Sequence, residues 1–257
     1  MSENVLNFLR EYRVKAAEAE EIKFPIRASA GMRRVLIVTG DNIGEMLEEA
    51  ADGEDSIRLY AERQRAAAEA ASAADVLRSL VDSALTDSGL PTSADGGIRD
   101  VYGAYAALWD EQGELLDERI VPAAGEDGRP DEPGELPDSA WVGRHGEDGL
   151  LLLDLPEAEA WTAPLIVPMG GYNECPQPIE QAVLFRDWQK RFGAVPTAVA
   201  EDTWLLQVSR LPETDEEALN LAREHFIFCS YVLEAFDSIG RYAAHLKSSR
   251  VWSFWWD

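Results

Sequence analysis

Val251-Trp252-Ser253-Phe254-Trp255-Trp256-Asp257 places four aromatic side chains within its last six positions. Chain ends usually fray and carry few large apolar groups. A stretch this rich in rings has to be buried in a core or wall a site, so the fold must be built to receive it.

The remainder of the chain can supply that core. It has 257 residues, 46% of them hydrophobic, and eight tryptophans, enough for one large domain or two small ones. Its charge is far from balanced, with 48 acidic residues against 23 basic, a formal net of −25. Phosphate contacts need clustered Lys and Arg, so direct binding to nucleic acid or to an anionic membrane surface is not expected. Two readings of the acidity stay open. One is solubility, consistent with the strong preference for Arg over Lys among the basic residues. The other is a protein partner with a basic surface, with imitation of nucleic acid as its extreme form. Two cysteines, Cys175 and Cys229, allow a single long-range disulfide or redox pair but are too few for a disulfide framework. No stretch reaches the ~18 consecutive apolar residues of a membrane span, and Glu3, Arg10, Glu11 and Arg13 interrupt any leader-like start. A soluble, cytoplasmic protein is expected.

Periodicity gives an element order. Residues 3–22 carry Val5, Leu6, Leu9 and Tyr12 on one helical face. Arg33 to Thr39 reads as a buried strand, and Gly40-Asp41-Asn42 turns from it into a helix near Ile43. Ser56 to Leu85 reads as a long helix with an Ala-rich middle where it can break. Gly89 to Gly97 has linker composition. Tyr105–Trp109, the turn Asp110-Glu111-Gln112-Gly113 and Glu114–Val121 together predict a hairpin. Residues 122–139 are rich in Pro, Gly and acid; over 111–139 ten acidic residues oppose two arginines, a net of −8. Strands are expected at Leu150–Leu153 and Leu165–Val167. Pro178 opens a helix that Gly193 stops. Val195–Ala200 and Thr203–Ser209 form a strand pair about the Glu201-Asp202 turn, with Trp204, Leu206 and Val208 on a buried face. Thr214-x-x-Glu217 caps a helix to Phe228. A further helix runs through Leu246, and Val251–Trp256 closes as a strand.

From Leu150 onward, several features occur in a recognisable order. They are the strand Gly149-Leu150-Leu151-Leu152-Leu153, the turn Gly170-Gly171-Tyr172-Asn173-Glu174-Cys175-Pro176, Trp188, and Arg191-Phe192-Gly193-Ala194. Asp202-Thr203, then Ala222-Arg223-Glu224-His225-Phe226 with Cys229, and the Trp-rich ending follow. In this order and spacing the segment resembles the bacterial family of domain of unknown function 4253. Tyr172 stands where that family usually has Trp, and Ser230-Tyr231 follow Cys229 where Pro-Asp is common. The resemblance implies a fold unit and a site at the Gly-Gly turn; it implies no reaction.

His225 and Cys229 are four apart on a predicted helix and share a face. The Gly-Gly turn can bring Cys175 near them, so Cys175, His225 and Cys229 are the candidate catalytic residues, as a thiolate with a base. A metal role would require His245 or Asp257 to complete a four-ligand set, and two buried thiols with a packed histidine fit the same pattern. No metal or cofactor is assigned. The Asp257 carboxylates need partners if buried, with Arg223 and Arg241 as candidates. Gly171, Tyr172, Asn173, Trp252, Trp255 and Asp257 are the candidate ligand-binding residues, a polar rim with aromatic walls. The Gly40-Asp41 turn is neither a P-loop nor a dinucleotide fingerprint.

The expected architecture is α+β. It divides into a helical region over 1–121 with a short strand and hairpin, an acidic linker or loop over 122–140, and a unit over 141–257. In that unit a sheet of four or five strands is covered by two or three helices. The expected function is non-enzymatic binding of a basic protein partner, as an immunity or counter-defence module in bacterial or phage conflict. The alternative is an enzyme or small-ligand binder at the Gly170–Cys175 turn, His225, Cys229 and the Trp-rich end.

Overall fold

The computed structural model describes residues 10, 12, 14–18, 22–24, 26–38, 45, 57–92, 96–109, 113, 115–121, 136–145, 149–234 and 236–257. In chain order the elements are β1 (Lys15–Ala17), β2 (Met32–Val38), α1 (Ile57–Ala70), α2 (Ala73–Asp87), α3 (Ile98–Trp109) and α4 (Ser139–His145). Then come β3 (Leu150–Pro156), α5 (Ala163–Ile166), α6 (Pro178–Phe192), β4 (Val195–Val199) and β5 (Thr203–Gln207). α7 (Asp215–Phe228), α8 (Ile239–Leu246) and β6 (Val251–Trp255) complete the chain.

The strands form one mixed sheet in the order β1-β3-β2-β4-β5-β6. β2 is antiparallel to β3, with Val35 opposite Leu153 and Leu36 opposite Leu152. It is parallel to β4, with Leu36 opposite Ala198. Pro196 lies outside that parallel pairing, at an irregularity between β4 and β5, where its missing N–H breaks no ladder to β2. The α+β class expected from sequence is the class found. The sheet has six strands, and β2, from before the acidic stretch, lies between β3 and β4, from after it.

Alternation along the strands sorts side chains into two cores. Val35, Ile37, Leu151, Leu153, Trp204, Leu206, Trp252 and Phe254 enter the larger core, beneath α2, α3, α6 and α7. Leu36, Val38, Leu150, Ala198 and Leu205 enter a smaller one on the opposite face, closed by Trp141 and Val142 of α4 with Phe24 and Ile26. Both faces of the central strands are therefore covered, and the near-continuous apolar run Val35-Leu36-Ile37-Val38 is explained.

Helix boundaries follow local chemistry. The long helix predicted over 56–85 breaks in its Ala-rich part. There Ser72 turns extended and accepts the Asp75 N–H at 3.1 Å, starting α2 afresh. α6 opens on Pro178 behind a capping box of Gln177 and Glu180, and stops at Gly193 with φ 59°. Thr214 caps α7 by accepting the Glu217 N–H at 3.1 Å.

Four expectations are corrected. Lys15–Ala17 is an edge strand on β3, not part of a helix over 3–22, because its backbone pairs with Leu150–Leu152; residues 3–9 lie outside the described residues. Tyr105–Trp109 is the end of α3, not a hairpin strand. Val101, Tyr102, Tyr105 and Ala106 are buried at helical spacing, and Phe226 meets both tyrosines edge-on. Leu115–Ile120 is irregular and is anchored by Tyr102 Oη, which donates to the Leu115 carbonyl at 2.8 Å. Leu165 and Ile166 belong to the short helix α5, whose first turn holds Pro164, not to a strand. Finally, a 3-10 turn at Ser230–Leu233 precedes α8, which starts at Ile239 on the Ser238 cap. The helix near Ile43 and the acids Glu126, Asp127, Asp131 and Glu132 lie outside the described residues.

The register of β6 gives a direct test. Trp252 is 1% exposed and faces the larger core, whereas Ser253 points to solvent. Trp252→Ala is expected to cost about 3–5 kcal/mol in urea unfolding, and Ser253→Ala to stay within about 0.5 kcal/mol.

Candidate functional site

The Gly-Gly turn is a tightly specified piece of backbone. Gly170 has φ 128° and Gly171 φ 80°, and a Cβ at Gly170 would lie 2.3 Å from both the Pro176 carbonyl and Gln181 Nε2. No other residue fits that approach. Gln181 is fully buried and donates from Nε2 to the carbonyls of Met169 at 2.5 Å and Pro176 at 2.8 Å. The Gly171 N–H donates to the Cys175 carbonyl at 3.0 Å, closing the loop.

Around this turn some of the sequence-predicted residues do meet. Tyr172 Oη donates to the Glu201 carbonyl at 2.5 Å. Asn173, at φ 45°, donates from Nδ2 to the Asp257 carbonyl. Trp255 Nε1 donates to Asp202 at 3.1 Å, and the Trp256 N–H donates to the Asp202 carbonyl at 3.0 Å. Thus Tyr172, Asn173, Trp255 and Asp257 lie where the Gly-Gly turn, the 201–203 turn and the end of β6 come together. Trp252 does not join them. It is three residues from Trp255 on a strand, so the two rings take opposite faces, and Trp252 packs on Phe192 and His225 instead. Asp257 is exposed. The arginines proposed for it are engaged elsewhere, Arg223 with Glu118 at 2.6 Å and Arg241 with Asp237 at 3.1 Å.

The thiols and the histidine are enclosed. His225 is 0% exposed and lies among Trp188, Trp252 and Phe254, with ring centroids 4.7, 4.5 and 4.9 Å away. Its Nδ1 pairs with Tyr242 Oη at 2.9 Å. Burial, with Arg191 nearby, holds the imidazole well below the usual histidine range, so it is neutral. Cys229 Sγ donates to the Trp255 carbonyl at 3.0 Å, and burial pushes its thiol up to about 12. Cys175 contacts Met169 Sδ at 3.7 Å and is likewise pushed up by burial. Both cysteines are free thiols. Among the described residues no group of three or more His, Cys, Asp and Glu side chains is arranged to hold a metal ion.

The outward side of the turn borders a cleft of about 600 Å³. The last two turns of α2 and α3 form its other walls through Leu80, Ala84, Asp87, Tyr105, Leu108 and Trp109, and Ile227 adds to its floor. Gly171, Asn173, Glu174 and Glu180 complete the rim, with the buried Cys175 behind them. Trp109 is 43% exposed, and its ring meets Tyr105 edge-on at 6.1 Å. Glu174 is held by Tyr231 Oη at 3.3 Å. Burial pushes the Glu180 carboxyl upward, opposed by the Gln177 N–H it accepts at 2.8 Å. Burial also pushes the Tyr105 hydroxyl up to about 12, so it stays neutral. Sequence reasoning missed Asp87, Glu180, Tyr105 and Trp109. Reading 105–109 as a strand hid the helical spacing that brings α3 to the cleft.

The fold and this cleft define an α+β protein with an acidic, aromatic-walled recess beside a Gly-Gly turn. Residues 151–257 match the family model described as Domain of unknown function (DUF4253), which bears out the resemblance over that segment. No curated protein and no solved structure matches the chain. The matched segment supplies the Gly-Gly turn and Glu180; α2 and α3, which face them, lie outside it. No helix among the described residues is long and apolar enough to cross a membrane.

Two outcomes follow from the burial. In the unfolded chain His225 titrates near ~6.5, whereas in the fold it does not take up the proton. Stability contributed by His225 is therefore present above that value and lost as pH falls below it, at up to ~1.4 kcal/mol per pH unit. In urea unfolding from pH 7.5 to 5, the stability advantage of wild type over His225→Phe is expected to shrink; a pH-independent difference would contradict a neutral buried imidazole. Cys175 and Cys229 are expected to react with a disulfide reagent such as DTNB at pH 8 only after denaturation, because the attacking species is the thiolate.

Proposed function

We propose that the protein is a non-catalytic binding module that receives a basic segment of a partner protein in the cleft between α2, α3 and the Gly-Gly turn. The carrying observation is the cleft's lining. Asp87, Glu174 and Glu180 rim a recess walled by Tyr105 and Trp109, and among the described lining residues there is no Lys or Arg. A cationic group entering it meets three carboxylates and no cationic side chain of the described lining, and with a net of −25 the whole molecule attracts such a partner from a distance. The enzymatic reading has less support, since both thiols are protonated and the neutral His225 is sealed behind tryptophans. An immunity or counter-defence setting, with a basic opponent as the bound protein, is the biological context we carry forward.

Calorimetric titration with a basic nonapeptide and its acidic counterpart tests the reading. The basic peptide is expected to bind, the acidic one not, and binding should weaken as salt rises from roughly 50 to 300 mM. Asp87→Asn, Glu174→Gln and Glu180→Gln together should weaken it by about tenfold or more, which is ~1.4 kcal/mol. Neutralising Glu62, Glu213 and Glu216, away from the cleft, should have a much smaller effect. Equal loss from both sets would replace the cleft with diffuse charge attraction.

A further inference from the structure

We infer that the group recognised in this cleft is an arginine side chain, its guanidinium laid on the part-exposed indole of Trp109 and held by the rim carboxylates. The inference rests on the binding role proposed above and specifies its ligand.

Two helix ends point to a cation, independently of the acidic side chains. α2 ends at Asp87 and Ser88, and α3 ends at Leu108 and Trp109; both ends line the cleft. The C-terminal end of a helix carries about half a negative charge, which proteins usually offset with Lys, Arg or His in the last turn. Neither helix has a basic residue there. α2 carries Asp87 instead, an arrangement unfavourable to the isolated helix and relieved by a bound cation. One positive helix end also reaches the cleft, the N-terminus of α6. The N–H groups of Gln177 and Glu180 at that end are engaged by the capping box of the same two residues, which places the Glu180 carboxylate beside it.

The choice of guanidinium over ammonium follows from the walls. The carbonyls of Ala84, Leu85 and Thr86 at the end of α2 already accept the N–H groups of Ser88, Leu90 and Gly89. The charged acceptors that line the cleft are carboxylates on separate elements, Asp87 on α2, Glu174 in the turn and Glu180 on α6. A planar group with five donors in a fixed fork can reach several of these at once, whereas an ammonium is a compact, strongly hydrated point charge. Trp109 favours the same ligand. Trp109 is 43% exposed although its neighbour Tyr105 is buried, and it lines the cleft with its ring inclined to that of Tyr105. Guanidinium stacks on an indole and gives up less hydration than ammonium in doing so. Leu80, Ala84 and Leu108 supply an apolar wall for the methylene stem of the side chain.

Three peptides of one length separate the possibilities: (Gly-Ser-Arg)3, (Gly-Ser-Lys)3 and the citrulline analogue, titrated calorimetrically into the full chain. The arginine peptide is expected to bind about fivefold or more tightly than the lysine peptide, with no binding by citrulline. Trp109→Ala should bring arginine down to the lysine level, while Trp109→Phe should keep part of the preference; circular dichroism checks that both variants fold. Equal binding of arginine and lysine peptides, or a preference that survives Trp109→Ala, would overturn the arginine assignment and leave the basic-partner reading standing. Failure of both charged peptides to bind would overturn both.

Discussion

Trp188 lies where α6, α7 and β6 are joined. Its indole stacks on Phe254 with an interplanar angle of 16° and meets Trp252, His225 and Phe228 edge-on. Its Nε1 donates to Glu224 at 2.9 Å, and Glu224 in turn accepts from Arg191 at 2.7 Å. One side chain thus fixes the depth of a helix, the register of an edge strand and the position of a buried carboxylate. Aromatic pairs of this geometry add about 0.5–1.5 kcal/mol each beyond the area they bury. Burial pushes Glu224 upward, and Arg191 and the Trp188 N–H oppose the shift. The His225 imidazole lies inside the same assembly, which accounts for its being a packing group even though it sits one turn from a cysteine.

Much of this was legible in the sequence where local chemistry and tertiary demand agree. α6 begins at a proline and ends at a left-handed glycine, β5 alternates, and α7 starts at a threonine cap, so each was readable from a few residues. The 15–17 strand and α3 were not. Lys15-Ala16-Ala17 has no strand signature of its own and is extended only because β3 offers an edge. Tyr105 and Trp109 are good strand formers by propensity, and it is the contact of Tyr102 and Tyr105 with Phe226, far along the chain, that favours the helix. At the site, the Gly-Gly turn announced itself because only glycine tolerates that backbone. The facing wall gave no such signal, since Asp87 and Glu180 look like ordinary solvated acids until α2 and α6 are brought to one recess.

The charge of the molecule is unevenly used. Arginines pair with carboxylates across elements, as Arg34 does with Asp154 and Arg65 with Glu159, tying β2 to β3 and α1 to the segment after β3. Pairs this exposed contribute little to stability individually. At the rim of the cleft, by contrast, no Lys or Arg is among the described lining residues. The segment held in common with the family carries half of that rim, and the helices outside it carry the other half.

The position of β2 bears on how the chain is made. Its apolar run Val35-Leu36-Ile37-Val38 leaves the ribosome long before Leu150–Pro156 and Val195–Val199, the two strands that flank it in the sheet. Until then it is a short, sticky segment with no ladder to join, the kind that pairs with copies of itself. Pairing over so long a separation is slow to form. The surplus of negative charge along the intervening chain keeps nascent molecules apart during that interval, so the acidity that shapes the cleft also guards the half-made sheet.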